Sequence, residues 1–319
     1  MNRMDYTGSM WHFPPKPEEP LQGDCCGMGC RPCVFDRYEQ EVHLWERECE
    51  RIRRGNVATE NPGDTNVSLV QIPTLSECEY RYFSISSIKQ ESCDTYVLRF
   101  QLPDGKCLGL HTGQHIIMRV IGDGRVITRQ YTPVSPLHAL GYFDLLIKIY
   151  PDGRMSRHVK ALKTGDKVEL RGPCGRFSYS PNKWQRLVLL AAGTGIAPMI
   201  QVIRQVIINE RDDTRLLLVY TCKRYEDLLL KSQLEECSAY WNVTILYILT
   251  QDSPERVRSL KRYGDNIHHG RLDYHLLSQV LGNISPDNYV LICGTTSFEK
   301  DMISYLVDSG ISSHNYHKF

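Results

Sequence analysis

From about Tyr80 onward, apolar and polar positions alternate over short runs. "YFSISSIKQ", "TYVLRFQLP", "QHIIMRVI", "RVITRQYTPVS", "YFDLLIKIY" and "KVELRGPCG" are rich in β-branched and aromatic residues, which suit a half-buried pleated surface. "PDGK", "GDGR", "PDGR" and "KTGD" separate them with turn chemistry. Six closely spaced strands with one short helical segment predict a small antiparallel barrel over residues 75–182. At Gln185 the period changes. "RLVLLAA" is apolar without interruption, as a parallel strand covered on both faces should be, and "RLLLVYTCK", "NVTILYILT" and "NYVLICG" repeat the pattern. "APMIQVIRQVIINE", "DLLLKSQLEECSAY", "RLDYHLLSQVL" and "SFEKDMISYLVDSG" read as the helices between and after them. Strand and helix alternate, so residues 185–319 predict a doubly wound α/β domain.

Residues 1–70 follow neither period. "FPPKPEEP" should be extended and solvated. "CCGMGCRPC" holds Cys25, Cys26, Cys30 and Cys33. "VFDRYEQEVHLWERECERIRR" carries charges at helical spacing and reads as a surface helix, and "NVATENPGDTNVS" reads as a linker. A length of 319 residues fits two domains and an arm.

Composition narrows the setting. A formal net charge of +1 speaks against bulk electrostatic binding to nucleic acid or acidic membranes. Of the twelve cysteines, four cluster near the N-terminus and the rest are scattered through apolar segments, unlike a disulfide framework. The opening "MNRMDYTGSMWHFPPKPEEP" has no charged-then-apolar leader, and no apolar run reaches the length of a membrane span. The expectation is an intracellular protein, cytoplasmic or mitochondrial, with mostly reduced thiols. Without a transmembrane segment, any membrane association would be peripheral and through a partner.

Four short motifs carry candidate chemistry. In "RQYTPVS", Arg129 offers a fork of donors for phosphate oxygens, Tyr131 a flat face for a planar ring, and Thr132 and Ser135 hydroxyls. Any strand end with an exposed Arg and a half-buried Tyr looks the same. In "GRMS", Gly153 allows close backbone approach, and a helix start offers amide N–H groups to an anion, while Ser156 adds a hydroxyl or a cap. A plain capped turn has the same residues. In "AAGTGIAPM", a buried strand ends in Gly193-Thr194-Gly195 and opens a helix with Pro198 in its first turn, where α/β folds bind ligands. A third spaced glycine is missing, so it is not the six-residue dinucleotide fingerprint. In "CGTTSF", Cys293 ends the last strand at the same crevice; free cysteines are also often buried for packing alone.

Each motif is weak by itself, but their order along the chain is specific. A barrel bearing RxYTxxS and then GRMS, followed by an α/β domain bearing GTGIAP and a late CG, resembles the ferredoxin-NADP reductase superfamily. Within it, "IKIYPDGRMSRHVKALKTGDKVELRGPCGRF" and "GTGIAPMIQVIR" are most similar to NADH-cytochrome b5 reductase, and the resemblance covers roughly Tyr80 to Phe319. It implies a β + α/β fold: a six-stranded antiparallel FAD-binding barrel, then a doubly wound parallel-sheet NAD-binding domain. "PPKPEEPLQGDCCGMGCRPCVFDRYEQE" is similar to the oxidoreductase-like N-terminal module. Its four cysteines are metal candidates, although the adjacent Cys25 and Cys26 would strain joint ligation and no second CxxC pairs with Cys30 and Cys33.

By this resemblance, Arg129 holds the FAD pyrophosphate, Tyr131 packs on the isoalloxazine, and Thr132 and Ser135 bond its edge. Gln130 and Leu146 belong to the same FAD-binding set, and Lys148 lies near flavin and nicotinamide. Gly153, Arg154, Met155 and Ser156 receive the flavin phosphates. Gly193, Thr194 and Gly195 pass close to NADH, and Cys293 and Gly294 approach the nicotinamide from the other side. Tyr131, Lys148 and Cys293 are then the residues nearest the reacting atoms. Cofactors FAD and NADH follow, and so does a cytochrome b5 or similar haem protein as electron acceptor, met by Arg157, Lys160, Lys163 and Lys167. Three departures stand out. The family has Cys-Gly-Pro-Pro where this chain has Cys293-Gly294-Thr295-Thr296. Ala197 stands where Thr is common. Either Gln251 or Asp252 occupies the acidic place that favours NADH. The chain ends in Phe319, like relatives whose terminal aromatic lies near the active site. Two competing readings keep the flavin: a quinone or dye reductase, and a weakly active adaptor that works through its cysteine arm.

Overall fold

The computed structural model describes residues 13–21, 33–53, 74–122, 125–282 and 287–319. Cys25, Cys26, Cys30 and the stretch read as a linker lie outside the described residues. Six strands, β1 (Arg81–Gln90), β2 (Thr95–Gln101), β3 (His115–Gly122), β4 (Arg125–Tyr131), β5 (Tyr142–Lys148) and β6 (Lys167–Cys174), form one antiparallel sheet in the order β4-β3-β6-β1-β2-β5. A single bridge between Pro133 and Leu145 brings its two edges together. Alternate residues point inward: Phe83 and Ile85, Leu98 and Phe100, Phe143, Leu145 and Ile147 are buried in one cluster. Phe143 stacks on Phe100 at 5.0 Å and meets Phe83 edge-on at 5.6 Å. Full burial of each such side chain is worth about 1.5–3 kcal/mol.

The alternation fails on β3, where outward Ile117 and Arg119 are buried as well as inward Ile116 and Met118. The cause is the arm. Helix α1 (Val34–Arg53) forms where the charge spacing predicts it. Its charges are not all solvated, however. Glu48 pairs with Arg119 at 2.9 Å, and Glu41 pairs with Arg171 of β6. Tyr80 donates to Glu41 and lies under the Arg119 guanidinium at 4.1 Å. The Pro-rich segment is irregular but folds back on α1, with Trp45 Nε1 donating to the Pro14 carbonyl at 2.7 Å.

The second sheet is wholly parallel. It comprises β7 (Arg186–Ala192), β8 (Arg215–Cys222), β9 (Val243–Leu249), β10 (Ile267–His269), β11 (Asn288–Cys293) and β12 (Tyr316–Lys318), in the order β10-β9-β8-β7-β11-β12. Both faces are covered. On β7, Leu187, Leu189 and Ala191 pack with α3 (Ile196–Ile207) and α4 (Lys231–Ser238). Val188 and Leu190 pack with α6 (Tyr274–Leu281) and α7 (Thr296–Asp308). That double burial is why these strands read as unbroken apolar runs. β10, β12 and the one-turn α5 (Pro254–Arg258) escape sequence reading because three to five residues show no period. Among the described residues, no helix is long and apolar enough to cross a membrane.

Candidate functional site at the junction of barrel and parallel sheet

On the barrel side, β4 is the one strand of its sheet that buries no residue. Arg129 is exposed on it, donates to the Thr128 carbonyl at 2.7 Å, and has no carboxylate within reach among the described residues. Tyr131 is half-buried, and burial pushes its hydroxyl up to about 12, so the ring stays neutral. Gln130 and Thr132 are partly exposed beside it. Helix α2 (Arg154–Ala161) touches this strand. Its N-cap is Gly153, which supplies no side-chain cap, and its first turn holds no acid. The amide N–H groups and dipole there are left for an anion. Ser156 does not cap: its Oγ accepts from Tyr150 N–H at 2.9 Å. Met155 points into the barrel core. Arg154 is exposed and lies 3.4 Å from Glu18 of the arm, which also pairs with Arg125 at 3.1 Å. An open strand edge, the unpaired Arg129 and an uncapped helix start fit a diphosphate-bearing ring system such as FAD.

On the other side, the strand order of the parallel sheet reverses between β7 and β11. The chain runs outward from β7 through β8, β9 and β10, then returns to β11 on the opposite side. Such switch points make the ligand crevice of open α/β sheets. Two glycine turns meet in it. A Cβ on Gly195 would lie 2.1 Å from the Cys293 carbonyl oxygen, and one on Gly294 would lie 2.9 Å from the Ala192 Cβ. Gly193 has φ +54 with open space before it, so backbone faces the crevice where a side chain would otherwise stand. Thr194 completes this turn. This is a fit for a dinucleotide that needs close backbone approach. β5, which ends in Lys148, contacts the Gly193–Gly195 turn, so the two half-sites share one cleft.

Electrostatics refine the picture. Lys148 Nζ pairs with Asp94 at 2.8 Å. Burial works against the lysine's charge, but the Asp94 hydrogen bond and charge, with smaller contributions from Tyr150 and Asp227, together outweigh it and raise the pKa. Burial, reinforced by Glu299, pushes the Cys293 thiol up to about 12. It is a neutral thiol, not a nucleophile. Glu299, 9% exposed, is itself pushed up by burial against the pull of Lys318, which lies 3.6 Å away, and its Oε1 accepts from Gly294 N–H at 3.3 Å. Thr295 accepts from Phe298 N–H at 3.3 Å and so caps α7. The loop that has threonines in place of prolines is thus braced by a cap and a buried carboxylate.

Other predicted residues serve the frame. Ser135 is buried, and its Oγ accepts from Asp144 N–H at 3.1 Å. Leu146 packs, with Val134 and Phe177, into the core of the α/β half. Phe319 meets Phe177 at 5.3 Å beside Cys293. Ala197 is buried. Asp252 is turned inward, and Gln251 is exposed. Cys33 sits before α1 with its N–H on Asp36 at 2.7 Å. No metal-holding group of His, Cys, Asp and Glu occurs among the described residues. Asp94, Glu299 and Gln201 were missed by sequence reading. Asp94 comes to Lys148 through the β2–β5 register, which sets the following Thr95 opposite Lys148.

Residues 82–179 match the family described as "Oxidoreductase FAD-binding domain", residues 189–303 "Oxidoreductase NAD-binding domain", and residues 11–54 "Oxidoreductase-like protein, N-terminal". The chain is 39% identical over 305 residues to the "NADH-cytochrome b5 reductase-like" protein of Mus musculus, covering 95% of each chain. It is 37% identical over 311 residues to the protein of that name from Homo sapiens, covering 95% of this chain and 94% of that one. The cytochrome b5 reductase domain of Ulva prolifera nitrate reductase superposes with a TM-score of 0.68 at 27% identity, covering 78% of this chain and all of that one. With its two cofactor-binding folds meeting in one cleft, this chain belongs to the NADH-cytochrome b5 reductase family, oxidoreductases that move electrons from NADH to FAD.

Proposed function

We propose that the chain hands electrons from its flavin singly to a separate haem protein of the cytochrome b5 type, and that the residues named above carry the transfer. The observation that carries this reading is the shared cleft: β5 and Lys148 stand against the Gly193–Gly195 turn, which abuts Cys293 and Gly294. Bound FAD and NADH supply the chemistry, a hydride transfer between nicotinamide and flavin. The chain's part is placement and exclusion of water. Arg129 and the first-turn amides of α2 neutralise the flavin diphosphate, and Arg154 adds charge from the same turn. Tyr131 offers an uncharged ring face, with Gln130 and Thr132 along the same edge, while Ser135 braces β5 behind them. Gly193, Thr194 and Gly195 admit the dinucleotide backbone-first, and Gly294 closes the opposite wall. Cys293, kept neutral, packs without competing for the hydride acceptor. Lys148, held by Asp94, places a fixed positive charge beside the cleft. On this reading residues 75–182 bind FAD, residues 185–319 bind NADH, and residues 1–70 are an accessory arm.

The acceptor surface is supported by Arg157, Lys160, Lys163 and Lys167, exposed on and after α2 and without ion pairs among the described residues. A row of cations beside a flavin site suits an acidic haem protein. The test is an anaerobic stopped-flow trace of flavin absorbance on the full-length protein, followed by turnover with cytochrome b5 and with a quinone. Rapid bleaching by NADH and salt-sensitive turnover of cytochrome b5 are expected. Bleaching with turnover of the quinone alone would refute the haem acceptor, and a yellow protein that NADH does not bleach would refute the site assignment.

A further inference from the structure

A doubly wound sheet seats the adenosine ribose of a dinucleotide beside the carboxyl end of the strand after the glycine turn. An acid there takes the 2′-hydroxyl, whereas a cation accommodates a 2′-phosphate. Here that strand is β8, which ends at Cys222 and is followed by Lys223 and Arg224. Both side chains are exposed, and neither pairs with a carboxylate among the described residues. The end of β9 is tied alongside. Thr250 N–H donates to the Cys222 carbonyl at 3.0 Å, and Gln251 N–H donates to the Lys223 carbonyl at 2.8 Å. Lys223, Arg224 and the exposed Gln251 therefore share one rim of the crevice.

Three carboxylates flanking this rim already have partners. Asp252 has a side chain only 1% exposed, accepts from Tyr225 N–H at 2.7 Å, and lies 3.1 Å from Arg256 Nη1. That ion pair lacks good hydrogen-bond alignment, so the inward turn is held chiefly by the Tyr225 amide. Glu226 pairs with Arg256 at 3.0 Å, and Asp227 accepts from the Arg224 backbone N–H at 3.2 Å. Asp252 and Glu226 thus share Arg256, Asp227 makes a backbone bond, and the rim presents two cations without a side-chain ion pair among the described residues, beside a neutral amide.

We infer that the chain accepts NADPH as well as NADH, with Lys223 and Arg224 receiving the 2′-phosphate and Gln251 standing where a carboxylate would repel it. This rests on the dinucleotide reading of the switch-point crevice. A guanidinium fork and an ammonium both bond phosphate oxygens well, and the double charge of the phosphate makes repulsion by an acid equally strong.

The test is calorimetric binding of adenosine 2′,5′-bisphosphate and of 5′-AMP to the full-length, FAD-loaded protein, with NADH and NADPH bleaching traces alongside. The bisphosphate is expected to bind at least as tightly as 5′-AMP and to weaken as salt rises. NADPH should bleach the flavin within about tenfold of the NADH rate. The double variant Lys223→Ala/Arg224→Ala should lower the bisphosphate-to-AMP affinity ratio by about tenfold or more, and Gln251→Asp should lower it through repulsion. A wild-type protein that binds 5′-AMP about thirtyfold tighter than the bisphosphate overturns the inference and leaves the reductase reading standing. An unchanged ratio in the double variant also overturns it. Failure to bind either nucleotide, with no bleaching, overturns the inference and the crevice reading together.

Discussion

Cys293 carries the most reactive atom of the candidate site, and its surroundings make it inert. Its identity and its place at a strand end are readable from "NYVLICG"; its ionisation is not, because burial and Glu299 act together on it. A thiol held near 12 is protonated at every ordinary pH, and alkylation needs the thiolate. Iodoacetamide at neutral pH should therefore label exposed Cys78 and Cys93 first, with Cys293 slower by about a hundredfold or more. Its rate should climb only as pH rises toward that value. Peptide mass spectrometry over a pH series reads this directly, and labelling of Cys293 as fast as Cys78 would contradict it. Lys148 teaches the same lesson in the opposite sense: the sequence shows a lysine, and only the fold shows Asp94 holding it charged.

At the scale of elements, α1 is the surprise. Its helical period is legible, but nothing in a charged helix says that two of its carboxylates reach arginines on β3 and β6. Those arginines are 8% and 5% exposed, so their charges depend on the partners supplied from α1, with Glu169 assisting Arg119. Removing one partner of a buried pair strands the other, at a cost of about 3–5 kcal/mol. Glu41→Ala should thus destabilise the protein by about 3 kcal/mol, since Arg171 keeps Tyr80 but loses its carboxylate. Glu18→Ala, which breaks two exposed pairs at the other end of the arm, should cost under about 1 kcal/mol. Urea titration of both variants checks the contrast, and equal losses would mean that the arm is not held through Glu41.

At the scale of the molecule, function depends on how the barrel meets the parallel sheet. Gln201 of α3, 2% exposed, spans the junction: its Oε1 accepts from Gly113 N–H at 3.0 Å and its Nε2 donates to the Pro133 carbonyl at 3.0 Å. Arg204 donates to the Val134 carbonyl next to it. Gln201→Ala leaves a buried donor and acceptor unmade, at about 1–3 kcal/mol. It should also slow flavin bleaching at saturating NADH by about tenfold, because hydride transfer is sensitive to small misplacement. Flavin content should stay unchanged. Stopped-flow traces against flavin content test this, and a wild-type bleaching rate in a destabilised variant would show that Gln201 serves stability alone.

By itself the sequence determined the element types, their order, the split into an alternating and a continuous apolar half, and the chemistry of the glycine turns and Arg129. Those features are written in periods of two and 3.6 and in turn residues a few positions apart, so they are local. Tertiary structure decided what depends on partners far along the chain. It set that Asp252 turns inward and leaves Gln251 exposed, that Ser135 braces β5, that Cys293 stays a thiol, and that α1 lends its acids to buried arginines. Charge and orientation are settled by desolvation and by neighbours dozens of residues away, and no local pattern encodes either.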